Sequence, residues 1–203
     1  MEARKDERRA RGERSRQAIL QAALKTLGEG GLEGFTARNV ARRAGVSSAT
    51  IFHHFASLDE LQLEAIMLLL DAALDEELKA PPRNVRGYLR ALGALSFRVV
   101  REQPEFVHIS NALFGKLPFS EPLRQRAQAH YARWVGEVDR QLAALGVGAP
   151  KRRRNVSLAL VLLLDGMGIH WSVHHDVEQL ECFWKAMVDL FAAQLSPVRK
   201  AGR

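Results

Sequence analysis

Apolar residues recur at spacings of three and four along most of this chain, the period of helices that bury one face. Ile19, Leu20, Ala23, Leu24 and Leu27 make the first such row, which stops at Gly28 and the Gly30-Gly31 pair. Thr36 can cap a short helix over 37–44 with Val40, Ala41 and Ala44 as its apolar stripe, and Gly45 ends it. Ser47 can cap a second short helix to about His53. Ser57 followed by Glu60 reads as a capping box opening a long helix to about Lys79, closed by Pro81-Pro82. Further helices are predicted from Asn84 to Gln103, from Pro104 to Phe114, and from Pro122 to near Leu145. The last two run over about 151–173 and, capped by Asp176, to about Leu195. No segment alternates with period two for long enough to propose a strand, so the fold class predicted is all-α with about nine helices.

Composition then narrows the classes. Hydrophobic residues are 47% of 203 and charged residues 26%, enough for a core and not a disordered chain. One cysteine, Cys182, excludes an internal disulfide and a multi-thiolate zinc site; its apolar neighbours Phe183 and Trp184 read as packing. The longest unbroken apolar run, 158–164, is short for a membrane span, and the N-terminus has neither signal nor transit character. A cytoplasmic protein is expected. The net charge of +7 is uneven: residues 1–58 hold 11 Lys and Arg against 6 acids, and the rest of the chain is nearly neutral. This favours a basic N-terminal module attached to a nearly neutral body; the division expected is a basic flexible tail at 1–14, a module at 15–61, a larger helical body at 62–196 and a tail at 197–203.

Chemistry concentrates between residues 36 and 61. Two short helices joined through Ala44, Gly45 and Val46 match a helix-turn-helix, whose turn needs a residue tolerant of positive φ. Such a pair reads DNA because the second helix enters the major groove with its polar N-terminal end against base edges and phosphates. Here that end carries Ser47, Ser48 and Thr50, flanked by Arg38, Arg42 and Arg43 and followed by His53 and His54.

The run TARNVARRAGVSSATIFHHFASLDEL from Thr36 to Leu61 resembles the DNA-binding signature of TetR-type transcriptional regulators. The resemblance implies a homodimer that sets three-helix N-terminal units into successive major grooves of an inverted repeat. It also implies a helical body that binds a small-molecule effector and dimerises through its last two helices. By the same resemblance Thr36 meets phosphate and Arg38 a base or the backbone. Ser48, Ala49 and Thr50 face the bases, and Phe52, His53 and His54 lie near the backbone; Ser47 and Arg43 are DNA-binding candidates from their places on and beside the N-terminal end of the second helix. Three positions depart from the pattern. Ala49 replaces a frequent Gly, Phe52 a frequent Tyr, and Leu58 a lysine that usually meets phosphate.

In the body, Phe97, Phe106, Phe114, Trp134, Met167 and Trp171 are candidates for an apolar effector pocket, with His108, His130 and His170 able to orient a polar group. A mainly hydrophobic effector is expected, with no cofactor. For dimerisation, Leu160 and Leu164 of an apolar helix and Met187, Leu190 and Phe191 of the last one are candidates, with Gly166 and Gly168 allowing close approach. No metal is expected: His170 and His174 share a helix face, yet no Glu follows His170 and the helix ends nearby. Lys151 and Arg152, Arg153 and Arg154 read as a solvated helix edge. The function expected is a repressor released from a palindromic operator by its effector. The alternative is a ligand-binding helical protein or enzyme with a vestigial helix-turn-helix. Against an enzyme, the chain lacks G-x-S-x-G, H-E-x-x-H, a Walker loop and C-x-x-C.

Overall fold

The computed structural model describes residues 2–77 and 82–195. Nine α-helices run through them: α1 Glu2–Gly34, α2 Ala37–Ala44, α3 Ser48–His54, α4 Leu58–Glu77, α5 Val85–Glu102, α6 Pro104–Phe114, α7 Glu121–Ala144, α8 Pro150–His174 and α9 Val177–Leu195. A single 3-10 turn, Leu117–Phe119, lies between α6 and α7, and no strand occurs among the described residues. The expected end of the fourth helix near Lys79 and the tail at 197–203 fall outside the described residues.

Most helix starts are set by the side chains the sequence offers for them. The acceptors Thr36, Ser47, Asn84 and Asp176 each take the amide three residues on, at 2.8–3.2 Å. The Ser57 Oγ takes the Glu60 amide, while the Glu60 carboxylate reaches back one residue further than a capping box requires, to the Ala56 amide at 2.8 Å. Two stops, Gly45 and Gly146, have positive φ and close with paired reversed bonds: Gly45 and Val46 donate to Arg42 and Ala41, Gly146 and Val147 to Ala143 and Leu142.

One stretch departs from its sequence reading. Residues expected as a flexible tail are helical from Glu2 onward, continuous with the apolar row of α1. Arg, Glu and Ala dominate there, and these are good helix formers whatever their charge. The glycines at its far end act later than expected: the helix is broken at Gly31 (φ 56°, ψ −155°), not at Gly28.

The chain divides into two compact units, residues 1–72 with 108–126, and residues 73–107 with 127–203. In the first, α1 packs on α2 and α2 on α3 around Ile19, Leu27, Val40, Ile51, Phe55 and Leu61, all nearly or fully buried. The Arg16 guanidinium lies 5.0 Å over the Phe55 ring and pairs with Glu64 at 3.1 Å. This unit extends past 15–61 because later residues are tied to the first turns of α4. Lys116 binds Asp59 at 2.7 Å, and Arg126 binds Glu60 at 2.6 Å and Glu64 at 3.6 Å.

In the second unit, α5 packs on α8 and α9 around Tyr88, Leu89, Leu92, Leu160, Trp171, Trp184 and Val188. The Tyr131 hydroxyl donates to Asp165 at 2.6 Å, joining α7 to α8, and burial pushes the Asp165 carboxyl above its ordinary range. Helix α8 is long and apolar enough by composition to cross a membrane, although only a third of its most apolar stretch is buried. Its exposed apolar residues, Leu158, Leu162, Ile169 and Val173, fall on one outward row with Gly166. Cys182, expected in the packing, is exposed, because the buried row of α9 runs through Leu180, Trp184, Val188, Ala192 and Leu195 and misses it.

Candidate nucleic-acid interface

Everything about α3 follows from how its two ends are held. The turn before it is fixed by Gly45 (φ 69°, ψ 30°), whose left-handed conformation reverses the chain within three residues. The Ser47 hydroxyl accepts the Thr50 amide at 3.1 Å and lies 2.9 Å from the Thr50 hydroxyl, so these two side chains are already engaged with each other. Ile51 and Phe55 are buried and anchor the inner face of the helix. The opposite face is left outward: Ser48, Ala49, Phe52 and His53 are exposed, Phe52 by half its surface. An exposed phenylalanine beside two histidines is an apolar and polar mixture suited to a thymine methyl and neighbouring acceptors.

The flanks differ in what they leave available. Arg38 extends into solvent from the first turn of α2 and has no acidic partner among the described residues. Arg42 donates to Asn39 at 3.4 Å, and Asn39 in turn holds the Gly34 carbonyl at 2.9 Å, tying α2 to the end of α1. Arg43 is engaged elsewhere: both of its terminal nitrogens donate to the Glu29 carboxylate, and this contact holds Glu29 below the usual carboxylate range. Glu29→Gln is therefore expected to free Arg43 and steepen the salt dependence of DNA affinity by about one counterion, log K against log salt; an unchanged slope places Arg43 off the phosphates. Burial, with the charges of His53 and Arg16 added, holds the pKa of His54 below that of an ordinary imidazole. Leu58 is half-buried at the start of α4, where its apolar side chain cannot supply the ionic contact of a lysine.

The body residues are less concentrated. His108 and Phe114 belong to the first unit, and the other seven effector candidates to the second. There Phe97, Met167 and Trp171 are buried in the core cluster and Trp134 packs against it. Phe106 is buried, while His130 is half-buried beside Arg133. His170 stacks near His174 with ring centroids 4.3 Å apart, its buried Nδ1 without a hydrogen-bond partner. No cluster of metal-ligating side chains occurs among the described residues. Of the dimer candidates, Leu164, Met187 and Phe191 are half-buried and Leu190 is half-exposed. Leu160 is fully enclosed in the core of its own chain, because the outward row of α8 runs through its neighbours Leu158 and Leu162. The signal that finds that row is the step of four from 158 through 162 to 166, which an all-round apolar helix hides.

Two capped helices around a left-handed glycine, with one buried and one exposed face on the second, define a helix-turn-helix DNA-binding protein. Residues 19–65 match the family described as bacterial regulatory proteins, tetR family. The HTH-type transcriptional regulator BetI of Agrobacterium fabrum is 30% identical over 160 residues, covering 78% of this chain and 77% of that protein. BetI of Rhizobium meliloti is 34% identical over 120 residues, but the match spans only 58% of this chain and 59% of that relative. A TetR transcription regulator from Haloarcula marismortui superposes with a TM-score of 0.66 at 18% identity, covering 90% of this chain and 98% of that one. The chain belongs to the TetR family of transcriptional regulators.

Proposed function

We propose that this regulator is a homodimeric repressor that binds an inverted-repeat operator and leaves it when a small, mainly hydrophobic effector enters the helical body, acting in the cytoplasm. The observation that carries the reading is α3 itself, with Ser48, Ala49, Phe52 and His53 turned outward while Ile51 and Phe55 hold it in place. Dimerisation is supported by the apolar row on α8, Leu158, Leu162, Ile169 and Val173, together with Phe183 and Leu190 exposed on α9. Such a surface on a water-facing helix calls for a cover, and the same row on a second copy supplies one by two-fold symmetry. A hydrophobic effector is supported by the aromatic and methionine side chains of the second unit. In mechanism, an effector that binds better to one spacing of the two α3 helices shifts the population toward it, and a spacing unequal to one DNA turn loses affinity.

Selection of sites from random duplex DNA at physiological salt tests this reading. An enriched inverted repeat with half-sites about one helical turn apart is the expected result. Enrichment of a lone half-site overturns the dimer, and no enrichment overturns operator recognition.

A further inference from the structure

A groove of about 670 Å³ lies between α5 and α9 in the second unit. Its α5 side is one helical face, residues 86, 90, 94, 97, 98 and 101, and its α9 side is another, residues 181, 184, 185, 188 and 189. Phe97, Trp184 and Val188 give it an apolar floor, and Ala94 leaves open space above them. That floor is rigid: the Trp184 indole donates to the Leu89 carbonyl at 2.9 Å and lies directly on Gly93.

The charges around this floor are not balanced. Arg86 pairs with Asp189 and Arg101 with Glu181, which consumes two of the three carboxylates in the lining and ties the two helices together at two points. The third, Glu102, neighbours Arg101 in sequence. Arg98 spends part of its guanidinium on the Ala73 carbonyl. Arg90 and Lys185, both exposed, have no acidic partner among the described residues. Two uncommitted cations beside an apolar floor suit a ligand that is apolar in its body and negative at its head.

Position on α9 keeps this groove independent of dimerisation. At about 100° per residue, Glu181, Lys185 and Asp189 flank the buried row on one side, whereas Phe183, Met187 and Leu190 flank it on the other. A partner seated on the apolar flank leaves the groove open.

We propose that the groove between α5 and α9 binds an amphipathic organic anion, an alkyl or aromatic body carrying one carboxylate, sulfonate or phosphate, with Arg90 and Lys185 holding the head and Phe97, Trp184 and Val188 the body. The binding stands without the repressor reading, and only its consequence for operator affinity rests on that reading. A charge-assisted contact made and lost changes affinity by about tenfold or more.

The test uses the full chain without DNA and two probes, the fluorescent sulfonate 1-anilinonaphthalene-8-sulfonate and dodecanoate, with dodecanol as the uncharged control. Dodecanoate is expected to displace the sulfonate at least tenfold better than dodecanol does. Arg90→Gln/Lys185→Gln is expected to weaken both anions at least tenfold, while Arg133→Gln, an exposed cation elsewhere, does not. Ala94→Trp, which fills the open part of the groove at an exposed position, is expected to abolish binding with unchanged thermal unfolding. Equal displacement by acid and alcohol, or unaltered affinity in the double variant or in Ala94→Trp, overturns the proposal. Operator selection on the same protein, run without probe, reports separately on the repressor reading.

Discussion

Gly93→Ala is expected to destabilise the second unit by about 3 kcal/mol, because a methyl added there overpacks a core that has nowhere to yield. A Cβ at this position would lie 2.2 Å from both Cδ1 and Nε1 of Trp184. Trp184 is 3% exposed and its indole N–H is committed to the Leu89 carbonyl, so moving the ring aside also breaks a buried hydrogen bond. Helix propensity argues the other way: alanine in the middle of α5 should gain about 1 kcal/mol over glycine. The sign of the measured change therefore decides between local and tertiary control. In thermal unfolding the expected loss is about 6–12 °C for a chain of this length. Gly93→Ala/Trp184→Leu, which removes the ring, should recover part of it. A melting temperature at or above the parent's means that α5 and α9 are not packed this closely.

At Gly45 the expected loss is in DNA binding, and its cause lies wholly in the backbone. Nothing lies within 4 Å of a Cβ built there, so a side chain meets no neighbour, but φ of 69° is a conformation that β-branched residues resist. Gly45→Val should cost about 1–3 kcal/mol if the turn is kept. It should weaken operator binding by about 100-fold or more if the turn relaxes and α3 is re-aimed, since a shift of about 1 Å at a recognition surface suffices for that loss. Gly45→Asn, which tolerates the left-handed region, should keep most of the affinity. Fluorescence anisotropy on the selected operator distinguishes them. Equal affinity for the valine and parent proteins would mean that this turn does not set the angle of α3.

These two glycines mark the boundary of what could be read in advance. Gly45 is legible in the chain itself because its role is local: a short apolar stripe before it, a serine cap after it and a turn that needs positive φ all lie within a dozen residues. The caps at Thr36, Ser47, Asn84 and Asp176 are legible for the same reason, each being a contact between a side chain and an amide three residues away. The run from Thr36 to Leu61 carries the resemblance to its family because so many of those local requirements meet in one segment. Gly93, by contrast, is an unremarked glycine in a helical pattern until Trp184, 91 positions later, is laid upon it.

Other positions divide along the same line. Arg43 belongs to a basic cluster by sequence, and only the packing of α1 on α2 brings Glu29 within reach to occupy it. Leu160 is one of many leucines in α8, and whether it or Leu158 faces outward depends on which side α5 and α9 cover. The groove between α5 and α9 joins residues 86–102 to residues 181–189, so no reading of either helix alone finds it. The amino-acid sequence alone determined most of the helices and their ends, the helix-turn-helix and the family, since periodicity and capping act over one or two turns; the first helix, which begins at Glu2 and breaks at Gly31, is the exception. Tertiary structure alone decided which cations are spent, which apolar residues are enclosed and where a ligand has room, because those depend on contacts between segments that the chain order leaves far apart.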